Sequence, residues 1–184
     1  MKKLILFFLT IVLLFSTPTQ NAKATTKASG ASAVLITTSN TTQEDYRVKV
    51  LRKYLEQYDS PLAPYADSFV ENADKYNLDW RFVAAISGLE STFGKQIPYG
   101  TYNGWGWGIY GTNRIYFGSW DEGISTVSEG LRVKYMDTWG AQDVYQIGKI
   151  YAASPTWAQR VTFFMNQIEA FKLRNPADTL SISI

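Results

Sequence analysis

Residues 99–118, YGTYNGWGWGIYGTNRIYFG, set the strongest limit on the fold. Glycine alternates with flat aromatic rings, a pattern that suits turns and short extended pieces and carries no apolar stripe of helical period. Helical periodicity is clear on both sides of it. Ahead of the stretch, the spacing predicts helices over Gln43–Tyr58, Tyr65–Tyr76 and Trp80–Ser91; behind it, over Ser119–Asp137, Asp143–Ala152 and Pro155–Arg174. Thr41 with Glu44, and Ser119 with Glu122, have capping-box spacing. Asp79 reads as a cap for the third helix, and Ser154-Pro155 as an N-cap and first-turn pair. No internal repeat is visible. The expected architecture is a mostly α, single helical domain with a short irregular aromatic and glycine-rich insert after the third helix.

The chain of 184 residues carries more than this domain needs. Lys2 and Lys3 precede LILFFLTIVLLF, the twelve apolar residues from Leu4 to Phe15, and Ala22-Lys23-Ala24 follows. Charge, a short apolar run and an A-x-A site, in that order, read as a cleaved secretory signal over 1–24; twelve apolar residues are few for a membrane span. An uncleaved anchor is the rival reading. Residues 25–42, rich in Thr, Ser, Ala and Lys, read as a flexible leader, 43–174 as the domain, and 175–184 as a tail. The expected product is exported, secreted or wall-associated, without stable membrane insertion after signal cleavage.

Removing Lys2, Lys3 and Lys23 from the 18 basic residues leaves 15 against 16 acidic ones, a net of −1. No Lys or Arg run with interleaved aromatics suggests a nucleic-acid partner. With no cysteine, stability must come from packing. With no histidine either, the chain cannot build a Ser-His-Asp or Cys-His nucleophile or a zinc site of the usual His/Cys type, and no glycine-rich stretch has Walker or dinucleotide spacing. No metal and no cofactor is therefore expected. Acid/base chemistry would rest mainly on Asp, Glu, Tyr or Lys, which favours glycoside cleavage, a reaction commonly run on carboxyl groups alone.

One carboxylate stands out. In AAISGLESTFG, residues 84–94, Glu90 follows Ile86 by four and Val83 by seven, on the stripe expected to face a core. Turned to water at a helix end, it would need no further explanation. Held against apolar and aromatic walls, it would lose solvent, its pKa would rise, and it could deliver a proton to a glycosidic oxygen. The adjacent aromatic, glycine-rich stretch would suit a sugar cleft, or simply fill a core.

AAISGLESTFGK, NGWGWGIYG and KIYAASPTWAQRV, in that order over residues 84–161, resemble signature segments of the lysozyme-like superfamily of peptidoglycan-cleaving enzymes. The first is similar to the Glu-Ser helix of soluble lytic transglycosylases and to the Leu-Glu-Ser of bacterial glucosaminidases. The second stands at the glycine-rich turn of both. The third is similar to the Tyr-Ala-Thr-Asp-Pro segment of glucosaminidases and takes the place of the Ala-Tyr-Asn-Ala-Gly segment of transglycosylases. The resemblance implies a lysozyme-like fold acting on peptidoglycan glycan strands, with Glu90 as acid/base and Ser91 as a polar neighbour that orients it. It also implies that the Tyr151 hydroxyl approaches the reacting sugar, and that Trp105, Trp107 and Tyr110, with Asn103, line the glycan groove. Departures are present: Ala152 and Ala153 replace the Asn-Ala of transglycosylases, Ser154 replaces the glucosaminidase aspartate, and the Gly-Leu-Met-Gln turn is missing.

The count of carboxyl groups separates the two family readings. Standard hydrolysis takes two, about 5 Å apart when retaining and roughly 6.5–9.5 Å when inverting. From Ser91 to Trp120 there is no Asp or Glu, and Asp121 and Glu122 already have a reason to exist at a helix start. The transglycosylase family uses the substrate's own hydroxyl as nucleophile, so one glutamate suffices; this reading is preferred. An endo-N-acetylglucosaminidase, a non-catalytic glycan-binding module and a structural wall protein are the alternatives.

Overall fold

The computed structural model of the chain describes residues 44–108 and 115–178. The signal and leader, Thr41, Tyr110 and the last six residues of the tail lie outside them. The described residues belong to one unit, Thr41–Ile184, and contain no strand.

Six helices follow one another. They are α1 (Tyr46–Glu56), α2 (Ala66–Lys75, after a 3-10 turn Ala63–Tyr65), α3 (Phe82–Ser91), α4 (Trp120–Gly130), α5 (Val144–Tyr151) and α6 (Trp157–Arg174). The α4 axis continues as a π-helical stretch, Leu131–Thr138. The mostly helical class expected from periodicity is thus the one observed, and helices are absent between Ser91 and Trp120 among the described residues.

The helix starts keep the expected Ser119 cap and shift others. Asp45, whose carboxylate accepts from the Arg47 backbone N–H at 2.8 Å, caps α1, so the helix begins three residues later than the spacing suggested. At α4, Ser119 Oγ accepts from Glu122 N–H at 3.1 Å, but Glu122 reaches one residue further back and accepts from Gly118 N–H at 2.6 Å. Asp79 accepts from Arg81 N–H at 2.9 Å, just ahead of α3. At α6 the helix starts at Trp157 after Thr156, and Ser154 contributes its carbonyl to the preceding turn, accepting from Trp157 N–H at 3.2 Å.

The core lies where these helices face α3. Phe82 through Gly88 are all buried, so α3 is apolar on every side and is covered all round. Its most extensive helix contact is with α6, whose Trp157, Val161, Met165, Ile168 and Phe171 form the buried face. Trp105, Phe117 and Trp120 join the same core from the aromatic segment and the start of α4. No described helix is long and apolar enough to cross a membrane.

Candidate functional site

Because α3 is enclosed, its only route to the surface is its end. Leu89 is half-buried, Glu90 is exposed, and Ser91 closes the helix. On the stripe of Val83 and Ile86, Glu90 is expected to face inward; α3 is instead enclosed on every side and the carboxylate emerges at its end. The chain then reverses through three successive left-handed residues, Thr92, Phe93 and Gly94, with φ of 52°, 56° and 80°.

This reversal leads directly into the glycine-aromatic turn, and Ser91 fastens the two together. Ser91 Oγ donates to Gly104 O at 2.7 Å and accepts from Gly94 N–H at 2.8 Å. Asn103 then clamps the turn from inside. Its amide nitrogen donates to Trp107 O at 2.8 Å and Ile115 O at 3.1 Å, while its oxygen accepts from Trp107 N–H at 3.0 Å. Trp105 anchors the turn on α3, its indole N–H donating to Val83 O at 2.9 Å. Ser91, Asn103 and Trp105 are all buried, Trp105 completely. The folded chain gives Asn103 and Trp105 no open face in a glycan groove, since the Asn103 amide is used up within the turn and the Trp105 ring is enclosed, and Ser91, expected to orient Glu90, bonds the turn instead.

Gly106 brings the turn against the glutamate. Its φ of 62° is in the left-handed region that glycine tolerates, and a Cβ there would stand 3.5 Å from Glu90 Oε2. The other oxygen, Oε1, accepts from the Trp157 indole N–H at 2.7 Å. Glu90 is thus held between residues 16 positions ahead and 67 ahead in the chain. Loss of surrounding water pushes its pKa up; the Trp157 hydrogen bond and the positive charge of Arg160 pull the other way, and the net shift is upward.

Tyr151 stands behind this arrangement. Its ring stacks on Trp157, centroids 4.6 Å apart, and its hydroxyl donates to Trp105 O at 2.7 Å. Burial, followed by the charges of Glu90 and Tyr135, drives its pKa well above the ordinary phenol value. Its proton is committed to a backbone carbonyl, so towards a sugar the hydroxyl could act only as an acceptor, and Tyr151 positions both the turn and the indole that holds Glu90. Trp107 is half-buried, with ring centroids 5.8 Å from both Tyr135 and Tyr151, and it presses so closely on α4 that a Cβ on Gly130 would lie 2.3 Å from its ring. Tyr110 lies outside the described residues.

The structure therefore brings Glu90, Gly106, Tyr151 and Trp157 together, with Trp107 next to them. Sequence reading missed Trp157 and Arg160. Trp157 occupies a buried position of α6 that apolar periodicity already explains, and only its single N–H marks it as anything more. Among the described residues no group of three or more Asp or Glu is placed to hold a metal ion. Of the nearest later acids, Glu122 is occupied at Gly118 and Asp121 is exposed in the first turn of α4. Set against known proteins, the chain matches no family model and no curated protein.

Proposed function

We propose that the chain is an exported enzyme that cleaves peptidoglycan glycan strands with Glu90 as a single acid/base, in the manner of a lytic transglycosylase. One observation carries this reading. Glu90 is a carboxyl at the surface end of an enclosed helix, with a raised pKa, one oxygen fixed by the Trp157 indole and the other facing the Gly106 turn. A carboxyl that keeps its proton more readily than a solvated one can protonate a glycosidic oxygen, and the carboxylate left behind can then accept the proton of the attacking sugar hydroxyl. The bond to the leaving sugar breaks, an internal ether forms, and Glu90 ends protonated as it began. The fixed oxygen limits where the proton is delivered, because Trp157 N–H already occupies a lone pair of Oε1. Oε2 is the atom free to act. The resemblance to lysozyme-like enzymes supports the same residue in the same role.

The test is digestion of purified peptidoglycan followed by mass spectrometry. Anhydro-muramic ends, lighter by one water than hydrolysis products, are expected from the parent. Glu90→Gln should lose at least about 10²- to 10⁴-fold in rate while remaining folded, since the amide keeps the shape and the Trp157 bond but carries no exchangeable acid proton. New reducing N-acetylglucosamine ends, abolished in an Asp121 or Glu122 variant, would replace this reading with a glucosaminidase.

A further inference from the structure

The indole that holds Glu90 is seated against a glycine. Trp157 opens α6, and Gly148 lies in the middle of α5, one turn ahead of Tyr151 and on the same side of that helix. Both residues face the indole. The Tyr151 ring stacks on it with centroids 4.6 Å apart, whereas at Gly148 the helix offers only backbone: a Cβ there would stand 2.9 Å from Trp157 Cε3 and 3.1 Å from Ala158 Cβ. The first of these distances is a clash, so α5 approaches Trp157 this closely only because position 148 has no side chain. A glycine inside a helix forms it less readily than alanine and leaves the unfolded chain freer, so its presence calls for a local reason. The indole supplies one.

The space around the indole has little room to widen. Residues 152–156 join the two helices, and both ends of this link are tied: Ala152 N–H donates to Gly148 O at 3.2 Å, and Trp157 N–H donates to Ser154 O at 3.2 Å. Gly148, Trp157 and Ala158 are all buried. A methyl group added at 148 would therefore push on the indole itself. Trp157 Nε1 donates to Glu90 Oε1 at 2.7 Å, and a displacement of about one ångström takes such a pair out of hydrogen-bond range.

Building on the reading of Glu90 as the acid/base, we infer that Gly148 is a positioning residue for it: the side chain it lacks is the room in which the Trp157 indole sits, and that seat fixes Oε1 and so the place from which Oε2 delivers its proton. Gly148 acts through Trp157, whereas Gly106 faces Glu90 directly. The other groups that act electrostatically with Glu90 from the packed helices are Arg160 on α6 and Tyr151 on α5, and a methyl group at 148 alters the charge of neither.

The experiment compares the parent with Gly148→Ala, Trp157→Phe and the double variant. By NMR without substrate, the Glu90 carboxyl of Gly148→Ala should titrate at higher pH than the parent's, as in Trp157→Phe, and the Trp157 indole proton should exchange faster with water. On purified peptidoglycan, kcat should fall about tenfold or more while KM stays nearly unchanged, the pattern of a misplaced reacting group. The double variant should match Trp157→Phe in titration and turnover, because the added methyl group acts through the indole and phenylalanine has no second ring for it to strike. Gly148→Ala with the parent's Glu90 titration and indole exchange overturns the inference, and so does a double variant whose losses simply add. If Gly148→Ala fails to fold, the double variant should fold; failure of both means that the methyl group is obstructed elsewhere and also overturns it. If the parent leaves peptidoglycan uncut, the reading of Glu90 fails, and the titration and the indole exchange still decide the role of Gly148.

Discussion

Trp105 and Trp107 stand two residues apart in the run GWGWG, yet they belong to different regions of the molecule. Trp105 is fully enclosed, hydrogen-bonded to α3 and packed against Phe69, Phe117 and Trp120. Trp107 is half-buried, lies over Gly130 and borders two cavities. Composition and spacing treat the two alike. The left-handed Gly106 between them separates a side that fastens the turn to the core from a side that looks outward, and Glu90 faces the point of division. Trp105→Ala should accordingly cost about 3–5 kcal/mol in denaturant unfolding, the range for emptying a core of a large aromatic ring. Trp107→Ala should cost under about 2 kcal/mol, because less of its ring leaves water, and should act mainly on glycan binding and turnover. Equal losses of stability would break the comparison.

The hydrogen bonds on the fastening side sharpen it. Asn103→Ala leaves Trp107 N–H, Trp107 O and Ile115 O without their partner, and about 2–3 kcal/mol is expected from a penalty of roughly 1–3 per orphaned buried group, reduced by access of water to the outer edge of the turn. Asn103→Asp should be nearly as harmful, since a carboxylate can still accept from Trp107 N–H but has nothing to donate to the two carbonyls. Thermal unfolding of the pair checks this. If the Asp variant were as stable as the parent, the two donated bonds would count for little.

What the sequence revealed follows the same division. Amphipathic helices such as α1 and α6 were legible because 3.6-residue periodicity is a local property: Val50, Leu51, Tyr54 and Leu55 of α1 and Trp157, Val161, Ile168 and Phe171 of α6 recur at that spacing and are buried, although Tyr46, on the same stripe, is exposed. The aromatic segment was legible as non-helical for an equally local reason. Helix starts were read less evenly: Ser119 caps α4 as its spacing suggests, but Asp45 caps α1 through the Arg47 N–H, and Thr156 rather than Ser154 precedes α6. The neighbourhood of Glu90 was half legible. Its place at the end of α3, just ahead of the glycine-aromatic turn, was visible, but Trp157 Nε1 meets it across 67 residues, and the tasks of Tyr151, Ser91 and Asn103 depend on which backbone carbonyls the folded turn presents. No local pattern encodes that. The π winding after Gly130 was also invisible, because the apolar residues of that stretch fit an ordinary helix equally well.

Between the two sides lies the reversal after Ser91, and it holds strain. Thr92 is β-branched and left-handed, a conformation that costs an L-residue roughly 1–2 kcal/mol. Thr92→Gly removes that cost but loosens the unfolded chain by about 0.5–1 kcal/mol, so a net gain of up to about 1 kcal/mol is expected. Chemical denaturation measures it. A loss instead would mean that the Thr92 side chain supports the α3 end through contacts that outweigh its backbone strain.

The smallest effect concerns Glu90 itself and decides whether its surroundings are those of a surface glutamate or of an acid held for use. Its carboxyl is raised by lost hydration in the folded chain, with Trp157 and Arg160 opposing, and returns to its ordinary value on unfolding. Between those two values the folded state binds more protons than the unfolded one, so Glu90's contribution to stability falls as pH rises through that window. Other groups slope the opposite way: the hydrogen bonds of Arg47 hold Asp45 and Asp74 low, and at Asp79 the upward push of burial is outweighed by Arg81, so their contributions are lost as pH falls. The quantity to measure is therefore the difference between Glu90→Gln and parent across pH. It should be near zero in acid, where both side chains are neutral, and turn in favour of Gln towards neutral pH. The gain should be small, because Glu90 is partly solvated. Trp157→Phe, which deletes the bond that lowers the carboxyl, should enlarge that difference and move the alkaline limb of the activity profile, where Glu90 loses the proton it must deliver, to higher pH. A difference curve flat from acid to neutral pH would mean that Glu90 is hydrated like any surface carboxylate, with no advantage in keeping a proton for a leaving sugar.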